Sequence, residues 1–115
     1  MTLVKICGIK NEEEAVCAFR HGAWAIGEVF APSSRRIEVE KAAAINRSLS
    51  NGIMKIGVFV NEKLEEVQHI AGLCELDMVQ LHGDEPPEYL EELQIPVIKT
   101  FSLTGAPDLN YIRRW

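Results

Sequence analysis

The chain has 115 residues, of which 47% are hydrophobic and 25% charged, and such values are typical of a single globular domain. Its formal net charge of -5 argues against a protein that binds the phosphate backbone of nucleic acids, because that binding depends on clustered Lys and Arg. No apolar run approaches the roughly 20 residues that a membrane-spanning helix needs. We therefore expect one α/β domain over residues 1–115, with neither nucleic acid nor membrane as a partner.

Cysteine usage indicates the compartment. Cys7, Cys17 and Cys74 are odd in number, show no C-x-x-C spacing and follow no apolar signal peptide, so we expect a reducing, cytoplasmic location. The histidines share no metal-ligand spacing with these cysteines, and we expect no bound metal. The common glycine-rich nucleotide motifs and the G-x-S-x-G motif of serine hydrolases are also absent.

Five apolar segments rich in β-branched residues predict five strands, spaced as a strand, a helix and two short loops require. They cover residues 3–7, 25–30, 54–60, 77–82 and 96–101. The segments between and after them carry helical patterns. These helices are predicted from Asn11 to Gly22, over 38–49, from Asn61 to Gly72, from Pro86 onward and from Asp108 onward.

Strict β-α alternation predicts parallel strands with helices covering the sheet. Two folds share this alternation. An open, five-stranded sheet of the flavodoxin type is favoured by length alone, because a closed eight-unit (β/α) barrel typically needs about 200 residues or more.

Cys7 is the first candidate for chemistry, because it stands just before Gly8 at the carboxyl end of the first strand, the edge where β-α proteins bind ligands. A buried, inert thiol is the alternative. Arg36, in the loop after the second strand, has a guanidinium suited to a carboxylate or a phosphate, although a solvated loop arginine fits as well. Gln80 and His82 alternate with apolar neighbours and share one face of the fourth strand, where a structural His is equally consistent.

Five motifs, in this order, resemble those of the phosphoribosylanthranilate isomerase family. They are Lys5-Ile6-Cys7-Gly8, Gly27-x-Val29-Phe30-x-Pro32-x-Ser34-x-Arg36, Val58-Phe59-Val60-Asn61, Val79-Gln80-Leu81-His82-Gly83-Asp84-Glu85 and Val97-Ile98-Lys99. The resemblance covers nearly the whole chain, and the segment after Val79 is its most specific part.

The resemblance implies the first five units of a TIM (β/α)8 barrel. It also implies an aldose-ketose isomerase of tryptophan biosynthesis, which without cofactor or metal converts phosphoribosylanthranilate into its aminoketose by an Amadori rearrangement. Cys7 resembles the general base that removes the C2′ proton, and Arg36 the residue that holds the anthranilate carboxylate. Gln80 and His82 resemble residues that line the same mouth. The family's general acid follows the sixth strand and its phosphate site follows the seventh and eighth, so we expect the 115 residues alone to be inactive.

Two departures from the family are visible, with Trp24 where Asp is usual and Glu28 where Phe is usual. A carboxylate in an apolar strand must find a partner or stay protonated. Two other functions remain open at this point. The first alternative to an isomerase is a non-enzymatic half-barrel that forms homo-oligomers through an exposed sheet edge. The second is an unrelated flavodoxin-like binding domain.

Overall fold

The computed structural model describes residues 1–49 and 51–115. Strands and helices alternate throughout. The elements are β1 (Lys5–Cys7), α1 (Glu12–Arg20), β2 (Ala25–Val29), α2 (Val39–Leu49), β3 (Met54–Phe59), α3 (Leu64–Leu73), β4 (Met78–Leu81), α4 (Tyr89–Glu92), β5 (Val97–Lys99) and α5 (Leu109–Ile112). All five predicted strands are present, each slightly shorter than its apolar segment. No helix in the described residues is both long enough and apolar enough to cross a membrane.

The five strands form one parallel sheet in the order β1-β2-β3-β4-β5. A flavodoxin-type sheet places its second strand at an edge and its first strand inside, so the observed order rules out that alternative. Each strand instead lies beside its predecessor in sequence, as in a (β/α) barrel. The sheet is open, with β1 and β5 at its edges.

The sheet is curled rather than flat. Lys5 on β1 donates a hydrogen bond from Nζ to the side-chain oxygen of Gln80 on β4. In a flat sheet these strands would lie roughly 14 Å apart, with their side chains standing perpendicular to the sheet. A contact between them requires a concave surface, which we call the inner face.

The main core lies on the other side of the sheet, the outer face, beneath the helices. Its strand residues include Ile26, Phe59, Val79 and Leu81, and its helix residues include Ala15, Ala42, Val67 and Ile70. The inner face carries a smaller apolar cluster of Val29, Ala31 and Val58, against which Cys7 packs. The alternation of side chains along each strand separates this core from the groups that could do chemistry.

Helix α1 begins as the sequence predicts. The side chain of Asn11 accepts a hydrogen bond from the backbone N–H of Glu14 at 2.8 Å. The Glu14 carboxylate reaches back to the N–H of Lys10 at 2.7 Å, one residue earlier than in the usual capping box. Gly22 follows the helix with φ +78°, the left-handed conformation that ends many helices.

The predicted bounds of α3 are wrong at both ends. The helix begins at Leu64 rather than Asn61, and it continues through Gly72 to Leu73. Asn61 has φ +53°, and its side-chain oxygen accepts a hydrogen bond from the N–H of Asp84 at 2.7 Å. A contact with the loop after β4 therefore takes the side chain that the sequence pattern assigned to a helix cap.

The unusual carboxylate of Glu28 lies on the outer face, fully buried beneath α2. One of its oxygens accepts a hydrogen bond from Nδ2 of Asn46 at 2.8 Å, and the same nitrogen donates to the carbonyl of Cys74. Burial raises the pKa of Glu28 to about 7, although Asn46 and the charge of Lys55 oppose the shift. The predicted partner is thus present, and the acid is also poised to hold a proton.

Candidate active site

The carboxyl end of β1 turns sharply, which leaves Cys7 at the rim of the inner face. Gly8 has φ +84°, a conformation that favours glycine. Its N–H and that of Ile9 both donate to the carbonyl of Gly27, at 2.9 and 3.0 Å. These bonds anchor the turn to β2, so that the half-buried thiol of Cys7 stays on the concave side.

Gly27 makes room for the side chains of β1. A Cβ atom on Gly27 would lie 3.0 Å from Sγ of Cys7 and 3.2 Å from Cε of Lys5. The two side chains of β1 therefore meet over the bare backbone of β2. Any larger residue at position 27 would displace the thiol.

Arg36 lies one strand away from the thiol, in the loop that follows β2. Its backbone forms an isolated parallel bridge with Val29, and its side chain is exposed. The neighbouring Arg35 lies closer to the turn after β1, because its Cδ would be only 2.7 Å from a Cβ atom on Gly8. Sequence reasoning selected Arg36 and gave no role to Arg35, although the pairing of the two arginines was a visible signal.

Gln80 lies on the inner face and is held at both ends of its carboxamide. Oε1 accepts from the ammonium of Lys5, and Nε2 donates to Oγ1 of Thr100 at 3.0 Å. The alternation along β4 correctly placed Gln80 on the side opposite the apolar Val79 and Leu81. Its two partners were not predicted, because they come from β1 and from the segment after β5.

His82 is exposed where β4 ends, and its backbone N–H donates to the carbonyl of Phe59 at 2.9 Å. It lines a cavity of about 400 Å³ together with Lys99, Thr100 and Tyr111. Cys7 lies outside this cavity and instead borders a groove of about 710 Å³ along β1 and α1. Cys7 and His82 thus border different hollows, whereas Gln80 and Arg36 line neither of these two.

Glu85 fixes the loop that carries His82. Its buried carboxylate accepts hydrogen bonds from the backbone N–H groups of Asn61 and Gly83, each at 2.9 Å, and pairs with Nζ of Lys99 at 2.9 Å. Burial on its own would raise the pKa of Glu85, but these hydrogen bonds and the charge of Lys99 outweigh it and lower the pKa. Sequence reasoning gave Glu85 no role, although its motif was the most specific of the five.

No three His, Cys, Asp or Glu side chains among residues 1–49 and 51–115 are grouped to hold a metal ion.

Known proteins with the same arrangement identify the family. Residues 4–114 match the family model described as N-(5'phosphoribosyl)anthranilate (PRA) isomerase. The chain belongs to the phosphoribosylanthranilate isomerase family. An N-(5'-phosphoribosyl)anthranilate isomerase from Syntrophomonas wolfei is 61% identical over 115 residues, which are 100% of this chain and 56% of that protein.

Solved isomerase structures share the fold. The Thermus thermophilus phosphoribosyl anthranilate isomerase has a TM-score of 0.87 and 44% identity, with 92% of this chain and 55% of that chain covered. A phosphoribosyl anthranilate isomerase in complex with reduced 1-(o-carboxyphenylamino)-1-deoxyribulose 5-phosphate has a TM-score of 0.86 and 40% identity, covering 99% and 59%. The chain spans about half the length of these relatives, and its five β-α units form part of a TIM barrel.

Proposed function

We propose that this chain supplies the half of a phosphoribosylanthranilate isomerase barrel that carries the general base. Family membership supports the reaction class, an aldose-ketose isomerisation of a phosphosugar linked to anthranilate, in cytoplasmic tryptophan biosynthesis. The observation that carries the proposal is the position of Cys7. The turn at Gly8 holds it at the carboxyl end of β1, with its side chain on the inner face.

Each site residue has a role in this proposal. Cys7 acts as the general base that removes the C2′ proton once the sugar ring is open. The exposed guanidinium of Arg36, at the same edge, binds the anthranilate carboxylate in a two-point contact. Such a clamp would hold the C2′ proton within reach of the thiolate, which is how positioning assists proton transfer. Gln80 and His82 line the mouth on the β4 side.

The 115 residues supply one part of the chemistry. In the family the general acid follows the sixth strand and the phosphate-binding loops follow the seventh and eighth, whereas residues 1–49 and 51–115 contain five strands. We therefore propose that residues 1–115 form one incomplete barrel domain with a negligible rate of isomerisation on its own.

A chimera tests the proposal. Residues 1–115 replace the matching segment of the Syntrophomonas wolfei relative, which then supplies the other β-α units. We expect the chimera to consume phosphoribosylanthranilate, measured as loss of its fluorescence, while the 115-residue chain does not. Cys7→Ser should lower kcat by about 10²–10⁴-fold, the range for loss of a general base.

Cys17→Ser is the matched control, because that thiol is exposed on α1 and has no role in the proposal. A folded chimera without activity, or a Cys7→Ser chimera with full activity, would contradict the assignment of the base.

One observation favours a second candidate function, self-association. Among the described residues both sheet edges are unpaired, and large apolar side chains are exposed on and just before β1, at Leu3, Val4 and Ile6. Pairing between copies would cover this surface.

A further inference from the structure

Lys5 places a positive charge inside the concave face, with no carboxylate partner among the described residues. The side chain is half-buried, and its Nζ donates to the neutral carboxamide of Gln80. Lys5 takes no part in the ion pairs of Lys99 with Glu85 and of Arg114 with Glu88. The ammonium of Lys5 is therefore hydrogen-bonded but not neutralised by a carboxylate in the described part of the chain.

This charge lies next to the thiol of Cys7. Lys5 and Cys7 are two residues apart on one strand, so both side chains project from the same face. Sγ of Cys7 and Cε of Lys5 lie 3.0 and 3.2 Å from the same point, the position that a Cβ atom would take if one were added to Gly27. The sulfur and this carbon are consequently no more than about 6 Å apart.

Lys5 also fixes the orientation of Gln80. An ammonium donates hydrogen bonds and accepts none, so the carboxamide must turn its oxygen toward Lys5. Its nitrogen then faces Oγ1 of Thr100, at 3.0 Å. The three side chains form one hydrogen-bonded chain across the inner face, from β1 through β4 to the end of β5.

We propose that Lys5 is a positioning residue of the isomerase site, which places a cation beside the Cys7 thiolate and locks the carboxamide of Gln80. The proposal rests on the proposed function for its place in catalysis. Cε of Lys5 lies within about 6 Å of the sulfur and Nζ is one bond further along, so the ammonium adds a positive electrostatic potential at the site where the thiolate acts. The same cation would raise the local concentration of anionic reagents around the sulfur.

Alkylation of Cys7 in the 115-residue chain tests this without any substrate. A Cys17→Ser background removes the exposed thiol, and Cys74 is fully buried. The rates for iodoacetate, which is anionic, and iodoacetamide, which is neutral, are measured at low salt by mass spectrometry of the Cys7 peptide. In Lys5→Met the ratio of the iodoacetate rate to the iodoacetamide rate should fall about twofold or more, which follows from unit charges no more than about 8 Å apart in water. Lys5→Arg should restore the ratio.

Lys41→Met is the matched control, because it removes the same charge from an exposed position on α2 and should leave the ratio unchanged. If Lys5 had only a structural role, Lys5→Met would change the alkylation rates for both reagents by the same factor, and their ratio would stay the same. Should Lys5→Met fail to fold, the parent chain still gives an answer, since rising salt must lower the ratio if a cation lies beside the sulfur.

An unchanged ratio in folded Lys5→Met, or a ratio insensitive to salt in the parent chain, would overturn the proposal. Neither result depends on isomerase activity. The role of Lys5 can therefore fail while the chimera remains active, and it can hold while the chimera is inactive.

Discussion

Glu28 and Asn46 form a buried, hydrogen-bonded pair whose arrangement favours a proton on the carboxyl group of Glu28. Their one hydrogen bond leaves Oε2 of Glu28 and Oδ1 of Asn46 buried without a partner among the described residues. Both atoms are acceptors when the acid is ionised, and unpaired buried acceptors are costly. A proton on Glu28 supplies the donor that this pair lacks, in agreement with a pKa raised to about 7.

We expect the pair to make stability depend on pH. The pKa of Glu28 is about 7 in the folded chain and near 4.5 when unfolded, so its stabilising effect is complete below about 4.5 and is lost as the pH rises through about 7. The loss amounts to about 3 kcal/mol at most. Urea unfolding at pH 5 and pH 8 measures it.

Glu28→Gln should remove this dependence and be the more stable form at pH 8, because its amide donates at every pH. Glu91→Gln, at an exposed position on α4, controls for the change in net charge. An equal pH dependence in the parent and in Glu28→Gln would contradict the assigned proton.

The sequence was sufficient to predict that Glu28 needs a partner or a proton, because an acid within an apolar strand must satisfy one condition or the other. It could not identify Asn46, which lies 18 residues away, since nothing in the pattern of α2 marks that side chain as facing β2. Lys5 was missed for a related reason. Its partner Gln80 lies 75 residues away and comes close only when the sheet curls.

The elements themselves were predicted well, and their ends less well. Apolar patterns located every strand, because burial on one or both faces determines which residues a strand contains. The start of α3 was misplaced because an Asn before a helix can cap it or bind elsewhere, and Asn61 binds the loop after β4. Glu85 completes that connection by accepting hydrogen bonds from Asn61 and Gly83, so side chains join two loops from different β-α units.

Close packing between these two loops makes a specific prediction for Gly83. A Cβ atom there would lie 2.5 Å from Oδ1 and 2.8 Å from the backbone N of Asn61. We expect Gly83→Ala to lower the free energy of unfolding by about 1–3 kcal/mol, as overpacking usually does. Urea unfolding monitored by circular dichroism measures the change.

Gly72→Ala is the matched control. It makes the same substitution within α3, where the added methyl group would have no described atom within 4 Å apart from its chain neighbours and the backbone of its own helix. Helix propensity alone should make it more stable by up to about 1 kcal/mol. Equal effects at the two positions would contradict the close packing inferred at Gly83.

At the scale of the whole molecule, alternation predicted a parallel sheet, but strand order decided its type. The sequence spacing fitted an open flavodoxin-type sheet and a barrel equally, and only pairing between consecutive strands distinguishes them. The family resemblance favoured the barrel, because the family it points to has a (β/α)8 fold. Length alone pointed the other way.

The open edges predict self-association of the 115-residue chain. We expect its average mass to rise with concentration in analytical ultracentrifugation at tens of micromolar, because the β1 edge and its apolar neighbours are uncovered. Ile6→Lys, on β1, should weaken the association, whereas Lys41→Glu on the outside of α2 should not. A monomer at every concentration tested would remove support for a self-associating module.

The order of the strands also bears on how the chain folds. Since every strand pairs with the one before it, each ladder closes a short stretch of chain and needs no contact with a distant segment. A newly emerged β-α unit can dock on its predecessor during synthesis, when residues appear at about 5–20 per second. The sheet can therefore grow in the order in which it is translated, and β1 with Cys7 would be in place before the four strands that follow it.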